Sequence, residues 1–188
     1  MKKSKLKLAV IGVGSRYQEA YSGIIDYLIQ AGFIELVCVV RSSKTPIKIG
    51  ETTYNPISLS ELPLFYDKVN IALNLLPSSI KLDISLKLLK FGINVLDETP
   101  ISRRIGGINK LRSAVLSSSG NYFLMENAGY HKSMFDLREL SSKFSGKSAT
   151  VHNLDLFRDY HTYSAIKVLE NIFSEVLVKS YRFETLLR

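Results

Sequence analysis

The stretch KLKLAVIGVGSRYQEAYSGIIDYLIQAGFIELVCVVRSS, residues 5–43, decides the fold of this chain of 188 residues. Residues 6–11 are a dense apolar run, as expected for a strand that is buried on both faces. Apolar side chains then recur at helical spacing over residues 15–31, and Gly32 suits the end of that helix. Residues 34–40 are a second continuous apolar strand. The order strand, helix, strand predicts a βαβ unit with parallel strands and a right-handed crossover.

The same alternation continues beyond this unit. We predict further strands at 68–77, 93–98 and 121–127 and further helices at 78–92 and 102–118. Residues 41–68 carry three prolines and little periodicity, which predicts a loop with one short strand near 52–57 and a short helix near 58–66. Strands that alternate with helices in this way are typical of the α/β class, here a Rossmann-type doubly wound parallel sheet.

Past residue 133 the pattern changes to a helix, a strand, a long helix and a final strand-like piece, which predicts a truncated α+β portion. We therefore divide the chain into a Rossmann domain over residues 1–130 and a short C-terminal portion over residues 131–188. Two strands alone leave exposed edges and a bare sheet face. We expect a homodimer that covers them, and the alternative is a monomer in which this portion folds back on the first domain.

The composition argues against several classes of protein. The formal net charge is +8, but aromatic residues are not interleaved with the basic ones as a nucleic-acid groove requires. No apolar run reaches membrane-spanning length and no signal peptide is evident, so we expect a cytoplasmic protein that binds no membrane. The three histidines are too scattered for a metal site, and the single cysteine, Cys38, is expected to be a buried free thiol.

The turn after the first strand is a candidate phosphate-binding site. Gly12 and Gly14 stand between a strand and a helix, where glycines let the backbone turn and approach a pyrophosphate. Ser15 and Arg16 follow in the first turn of the helix, so we count them with the glycines as cofactor-binding candidates. Tyr17 occupies the position where a third glycine is common, and an ordinary tight turn is the alternative interpretation.

The end of the second strand bears on which dinucleotide the domain would bind. A domain that prefers NAD usually has Asp or Glu there, whereas this sequence has Arg41 and Ser42 and no acid until Glu51. A guanidinium can bind a 2′-phosphate with two hydrogen bonds, so the sequence favours NADP, with NAD as the alternative cofactor. A solvated basic loop is the interpretation without a ligand.

A third candidate is VLDETPIS, residues 95–102, in which an apolar strand ends at two carboxylates, a threonine and a proline. Such an end is either a plain surface turn or the rim of an active site. Together with the glycine turn and NLLPSS at residues 74–79, this segment resembles the Gfo/Idh/MocA oxidoreductases, a family named after glucose–fructose oxidoreductase, inositol dehydrogenase and rhizopine catabolism. The resemblance covers most of the chain.

The resemblance implies roles for individual residues. Leu76 and Pro77 would lie beside the nicotinamide ribose, and Glu98 and Pro100 would hold their segment against the nicotinamide. The residue between Glu98 and Pro100 is normally a lysine in the family, the expected proton donor or substrate-positioning cation. Here it is Thr99, whose hydroxyl can donate one hydrogen bond but cannot deliver a proton as an ammonium does.

The segment RDYHTYSAIKVL, residues 158–169, resembles the family's histidine-bearing helix start and offers a substitute acid. His161 titrates near neutrality and is the catalytic candidate, with Asp159 either orienting it or capping the helix. Lys132 and His131 are weaker candidates. For each of these residues the alternative is a polar surface residue on a loop.

Taken together, the resemblance implies an NADP-dependent oxidoreductase that moves hydride between nicotinamide and a small polar substrate, such as a sugar or a cyclic alcohol. Residues 131–188 would be a shortened remnant of the family's substrate and dimerisation domain. This shortness and Thr99 favour the alternative of a non-catalytic NADP-binding sensor or subunit, whereas Glu98, Pro100 and His161 favour the enzyme.

Overall fold

The structure, a computed structural model, describes residues 4–99, 101–102 and 105–125 of the chain. In chain order the described elements are β1 (Leu6–Ile11), α1 (Ser15–Ala20), α2 (Ser22–Gln30), β2 (Ile34–Val40), β3 (Ile47–Ile49), β4 (Thr52–Tyr54), a 3-10 helix (Leu62–Phe65), β5 (Ile71–Asn74), α3 (Ser78–Lys90), β6 (Asn94–Glu98), α4 (Ile105–Ser117) and β7 (Tyr122–Met125). No helix in these ranges has the length and apolar character needed to cross a membrane.

The chain separates into two units, Met1–Met125 and Glu126–Arg188. All of the described elements belong to the first unit. The elements predicted beyond residue 125 lie outside the described residues, so the short C-terminal portion and the homodimer stay predictions.

Five strands form one sheet in the order β2-β1-β5-β6-β7, and every neighbouring pair is parallel. This confirms the predicted Rossmann-type doubly wound sheet. The chain leaves β1 for β2 on one side and later returns to β5 on the other side, so the strand order reverses between β1 and β5. In open α/β sheets, ligands bind outside the carboxyl ends of the strands at such a switch point.

Two apolar clusters fill the two faces of this sheet. The first contains Ala9 and Ile11 with side chains from α3 and α4, and the second contains Leu8 and Val10 with side chains from α1 and α2. Consecutive residues of β1 belong to opposite clusters because side chains alternate along a strand, so β1 is buried on both faces as predicted. Cys38 lies in the first cluster as a free thiol, and burial raises its pKa to about 11.

The single helix predicted over residues 15–31 is wrong, since two helices, α1 and α2, meet there at Tyr21. Tyr21 has a φ of −119°, well removed from the value of a regular helix, although its N–H still donates to the carbonyl oxygen of Tyr17. The hydroxyl of Ser22 donates back to the carbonyl oxygen of Gln18 at 2.9 Å, a contact that bends helices. Apolar spacing runs unbroken through this point, so periodicity could not reveal the break.

The region between β2 and β5 contains more strand than the sequence predicted. β3 and β4 pair as an antiparallel hairpin, and Gly50 between them has a φ of +58°, which glycine adopts readily. The strand expected near 52–57 corresponds to β4, whereas β3 was not predicted, because strands of three residues are too short to produce a recognisable period. The short helix predicted nearby is the 3-10 helix.

Candidate functional site

Gly12 forms the turn at the switch point, where the carboxyl ends of β1 and β5 meet. Its φ is +92°, and a Cβ built on it would lie 3.1 Å from both the carbonyl carbon of Leu75 and the backbone nitrogen of Leu76. The N–H of Gly12 donates to the carbonyl oxygen of Val40, and the N–H of Leu75 donates to the carbonyl oxygen of Ile11, at 3.0 and 2.8 Å. Only glycine fits this position, for reasons of both conformation and space.

Gly14 differs from Gly12, because no atom of the described residues lies within 4 Å of a Cβ built on it. It caps the start of α1, and it has no side chain to bond the first backbone N–H groups of that helix. Gly14, Ser15 and Arg16 are all exposed. The turn therefore leaves open space beside backbone donors and a guanidinium, an arrangement that suits a phosphate group.

Arg16 reaches from α1 to the end of β6, where its Nε donates to Oε1 of Glu98 at 2.5 Å and its terminal nitrogen completes the ion pair. The Arg16 side chain is 50% exposed and that of Glu98 only 7%, so solvent reaches the guanidinium but not the carboxylate. The guanidinium carbon also lies 5.9 Å from the centre of the Tyr21 ring. Burial, followed by the negative charge of Glu98, raises the pKa of Tyr21 to about 12.

Glu98 and Thr99 form a segment at the end of β6 that we call the lip. The N–H of Thr99 donates to Oε2 of Glu98 at 2.7 Å, and the Thr99 hydroxyl lies 3.4 Å from the same oxygen. On the other side, Nζ of Lys81 donates to the main-chain carbonyl oxygen of Glu98. Lys81 is only 3% exposed, and this burial lowers its pKa against the opposing effect of the Asp97 and Glu98 carboxylates.

Beneath the lip, Asp97 is fully buried in a polar network between β5, β6 and α3. The hydroxyl of Ser85 donates to Oδ2 of Asp97 at 2.6 Å, and Nδ2 of Asn74 donates to Oγ of Ser85 at 2.9 Å. Burial raises the pKa of Asp97 to about 6, although hydrogen bonds from Ser85 and Tyr122 and the charge of Lys81 favour the ionised carboxylate. The end of β6 is thus surrounded by the buried acid Asp97, the buried ammonium of Lys81 and the ion pair of Arg16 with Glu98.

The residues predicted to bind a dinucleotide lie on neighbouring strand ends. Leu76 is half-buried, and its N–H donates to Oδ1 of Asn74 at 3.3 Å in the turn from β5 to α3. Pro77 is exposed and caps the start of α3. These two residues therefore lie at the switch point with Gly12, in agreement with a site in that crevice.

Arg41 and Ser42 follow β2, the strand beside β1. The backbone N–H of Arg41 donates to the carbonyl oxygen of Ile57 at 3.0 Å, and Ser42 is exposed. Lys44 in the same loop is bound to Glu61 at 2.8 Å, whereas no carboxylate in the described ranges forms an ion pair with Arg41. Arg41 is thus the basic group of this loop whose charge is not offset by such a pair.

Three predicted site residues, Pro100, Asp159 and His161, lie outside the described residues, as do Lys132 and His131. Their roles stay predictions.

Sequence reasoning missed three residues that the structure brings to the lip, namely Tyr21, Lys81 and the buried Asp97. One signal could have revealed Lys81, since it shares the buried face of α3 with Ser85, Leu88 and Leu89 at helical spacing. A lysine at an apolar position of an amphipathic helix needs a partner inside the protein.

The glycine turn at the switch point of a parallel sheet defines the described unit as a Rossmann-type domain. The solved structures that it resembles are oxidoreductases of the Gfo/Idh/MocA type, which agrees with the resemblance of the sequence. No protein-family model matches the chain, and no curated protein sequence matches it.

Three of these structures illustrate the likeness. D-galactose-1-dehydrogenase from Rhizobium etli superposes with a TM-score of 0.64 at 14% identity, over 76% of this chain and 44% of that one. Myo-inositol 2-dehydrogenase from Lactobacillus plantarum gives 0.60 at 17% identity, over 76% and 43%. The 3-ketoreductase KijD10 from Actinomadura kijaniata, in complex with NADP and TDP-benzene, gives 0.62 at 13% identity, over 74% and 42%. This chain therefore spans less than half the length of each of the three, and identity at this level establishes the fold alone.

Proposed function

We propose that this chain binds a nicotinamide dinucleotide, preferentially NADP, at the switch point between β1 and β5, and that it is an oxidoreductase acting on a small sugar-like or polyol-like substrate. The observation that carries this proposal is the turn at Gly12, which packs against the backbone of Leu75 and Leu76 beside the open space at Gly14. Gly12 is required for the close packing of the turn. Gly14 is not, and the space beside it lets a ligand approach the backbone.

The described residues fit such a cofactor. The Gly12–Gly14 turn and the exposed guanidinium of Arg16 would receive the pyrophosphate, and Arg41 would bind the 2′-phosphate. The lip would lie at the nicotinamide end, where Glu98 is paired with Arg16. A nicotinamide cofactor supplies the hydride donor or acceptor when bound. The structures of similar fold support this choice, since KijD10 is an NADP complex and the other two are dehydrogenases.

A non-catalytic nucleotide-binding protein is the second candidate, and one observation favours it. The Thr99 hydroxyl faces the carboxylate of Glu98, so residue 99 offers neither a charge nor an acid to a substrate. The proton would then have to come from His161 or another residue outside the described ranges. Without such a proton donor, the protein would bind the nicotinamide cofactor at the lip but would not catalyse hydride transfer.

Calorimetric titration of the whole chain with NADPH and NADH tests the binding proposal. We expect NADPH to bind more tightly, and Arg16→Ala to weaken it. Arg112→Ala, which removes the same charge from an exposed position on α4, is the matched control and should have no effect.

A panel of sugars and polyols, monitored by the absorbance of reduced nicotinamide, then separates the two candidates. Turnover with any substrate supports the oxidoreductase, and bound cofactor with no turnover across the panel supports the sensor. A chain that binds neither NADPH nor NADH contradicts both.

A further inference from the structure

We propose that Lys81 supplies the positive charge of the lip from beneath, and that it is a positioning residue for the nicotinamide half of a bound dinucleotide. This inference rests on the proposed function for the ligand, but its structural part concerns the lip alone. It assigns a role to Lys81 on α3, the helix that follows β5. The side chain of Lys81 reaches the main chain of Glu98 at the lip.

The environment of Lys81 differs from that of the other lysines on its helix. Lys87 and Lys90 are exposed near the end of α3, where cations are favourable, whereas Lys81 is 3% exposed in the first turn. Burying an ammonium is unfavourable unless it is paired and hydrogen-bonded. Its partners at the lip are therefore the reason that the chain can keep a lysine there.

The contact of Lys81 fixes one end of a single peptide group. Nζ of Lys81 donates to the carbonyl oxygen of Glu98, while the N–H of Thr99, on the same peptide bond, donates to the carboxylate of Glu98 at 2.7 Å. Hydrogen bonds at both its oxygen and its nitrogen restrain rotation of this peptide group about the flanking φ and ψ bonds. Lys81 therefore restrains the peptide from which Thr99 extends.

The charges around the lip depend on Lys81 as well. Two carboxylates, Asp97 and Glu98, lie at the end of β6; Lys81 interacts electrostatically with both, and Arg16 pairs with Glu98. Of these two cations, Arg16 is half exposed and contacts the carboxylate of Glu98, whereas Lys81 is buried. Because Lys81 has almost no exposed surface, it acts on a ligand through the Glu98–Thr99 peptide rather than by direct contact.

Two measurements on the full chain test this role in Lys81→Met, which keeps the length of the side chain without its charge. The first is amide hydrogen exchange of Thr99 followed by NMR. The second is the affinity for NADPH compared with that for 2′,5′-ADP, which carries the adenosine half of the cofactor and no nicotinamide. Lys87→Met is the control, an exposed lysine of the same helix.

We expect Lys81→Met to accelerate Thr99 exchange at least several-fold and to weaken NADPH binding about tenfold, while 2′,5′-ADP binds as before. Lys81→Arg, which keeps the charge, should recover part of both effects, and Lys87→Met should change neither. If Lys81→Met does not fold, Lys81→Gln replaces it, since an amide can still donate to the carbonyl oxygen without a charge and should give a smaller effect in the same direction.

Unchanged Thr99 exchange in a folded Lys81 variant overturns the inference. An equal loss of affinity for NADPH and 2′,5′-ADP also overturns it, because that result indicates a general structural role. If the wild type binds neither ligand, the proposed function fails and the nicotinamide role of Lys81 fails with it. The exchange measurement then still decides whether Lys81 holds the lip.

Discussion

Arg16 and Glu98 form an ion pair across the switch point, although 82 residues separate them in the sequence. The pair joins the first turn of α1, beside the candidate phosphate site, to the lip at the end of β6. The guanidinium that would meet a phosphate is therefore already bound to a carboxylate. A nucleotide and Glu98 would compete for one cation.

This competition gives the first prediction. Glu98→Gln removes the negative charge that holds Arg16, so we expect ADP-ribose, which carries the pyrophosphate and no nicotinamide, to bind two- to fivefold more tightly. The effect is modest, about 1 kcal/mol or less, because Arg16 is half exposed and its pair is screened by solvent. Calorimetry can measure it.

The matched control for Glu98→Gln is Glu61→Gln, which breaks the exposed pair with Lys44 and should leave ADP-ribose binding unchanged. Weaker binding of ADP-ribose by Glu98→Gln would contradict the competition and would indicate that the pair organises the site for phosphate.

The second prediction uses the different surroundings of the two glycines in the turn. Gly12→Ala places a Cβ 3.1 Å from the backbone of Leu75 and Leu76 at a φ of +92°, so we expect it to lower the free energy of unfolding by about 1–3 kcal/mol. Gly14→Ala meets open space and should change stability by less than about 0.5 kcal/mol.

Urea unfolding measures both glycine variants, and NADPH titration separates their roles. Gly14→Ala should weaken NADPH binding despite its normal stability, because the added methyl group fills space that a phosphate would use. Equal stability of the two variants would mean that the close approach at Gly12 does not constrain the backbone.

The third prediction concerns the choice between the two cofactors. Arg41→Ala removes a charged contact with the 2′-phosphate, so NADPH binding should weaken by tens-fold while NADH binding barely changes. Lys44→Ala removes a positive charge from the same loop, but Glu61 already offsets this charge in an ion pair. Its effect on the affinity for NADPH should therefore be much smaller. Equal affinities of the wild type for NADPH and NADH would contradict the preference for NADP.

Much of this fold could be predicted because its strands are decided locally. The runs at residues 6–11 and 34–40 coincide with β1 and β2, and the helix predicted at 78–92 corresponds to α3, which ends at Lys90. Apolar runs of that density have no stable place except the centre of a sheet covered on both faces. Parallel pairing is then expected, because consecutive strands are connected by helices.

The site was less predictable, because its contacts depend on residues far apart in the chain. The residues around Arg16 in the sequence do not indicate that it pairs with Glu98. The break between α1 and α2 lies at Tyr21, whose ring lies near the guanidinium of Arg16. The apolar position of Lys81 on its helix indicates a partner inside the protein, but not that this partner is the end of β6. Periodicity describes which face is buried but not which partner a polar side chain finds there.

The last prediction concerns Asp97, whose pKa burial raises from an ordinary 3.8 to about 6. Because the folded state favours the protonated acid, this group contributes stability that is fully present below about pH 4 and is lost as the pH rises through about 6. The wild type should therefore lose stability over this interval relative to Asp97→Asn, whose amide oxygen can still accept the hydrogen bond from Ser85. The difference should be on the order of 3 kcal/mol, since one pKa unit corresponds to about 1.4 kcal/mol.

Urea unfolding of both proteins at a series of pH values from about 4 to about 8 measures the difference. Lys81 and Tyr122 also face Asp97: a hydrogen bond from Tyr122 and the charge of Lys81 both favour its ionised carboxylate and oppose the effect of burial. Glu61→Gln is the control: hydrogen bonds from Lys44 and Ser58 lower the pKa of Glu61 to about 2, so its contribution is lost only as the pH falls below about 4.5 and should stay nearly constant over this series. A stability difference between the wild type and Asp97→Asn that stays constant with pH would show that Asp97 is ionised throughout, with Lys81 compensating fully for its burial.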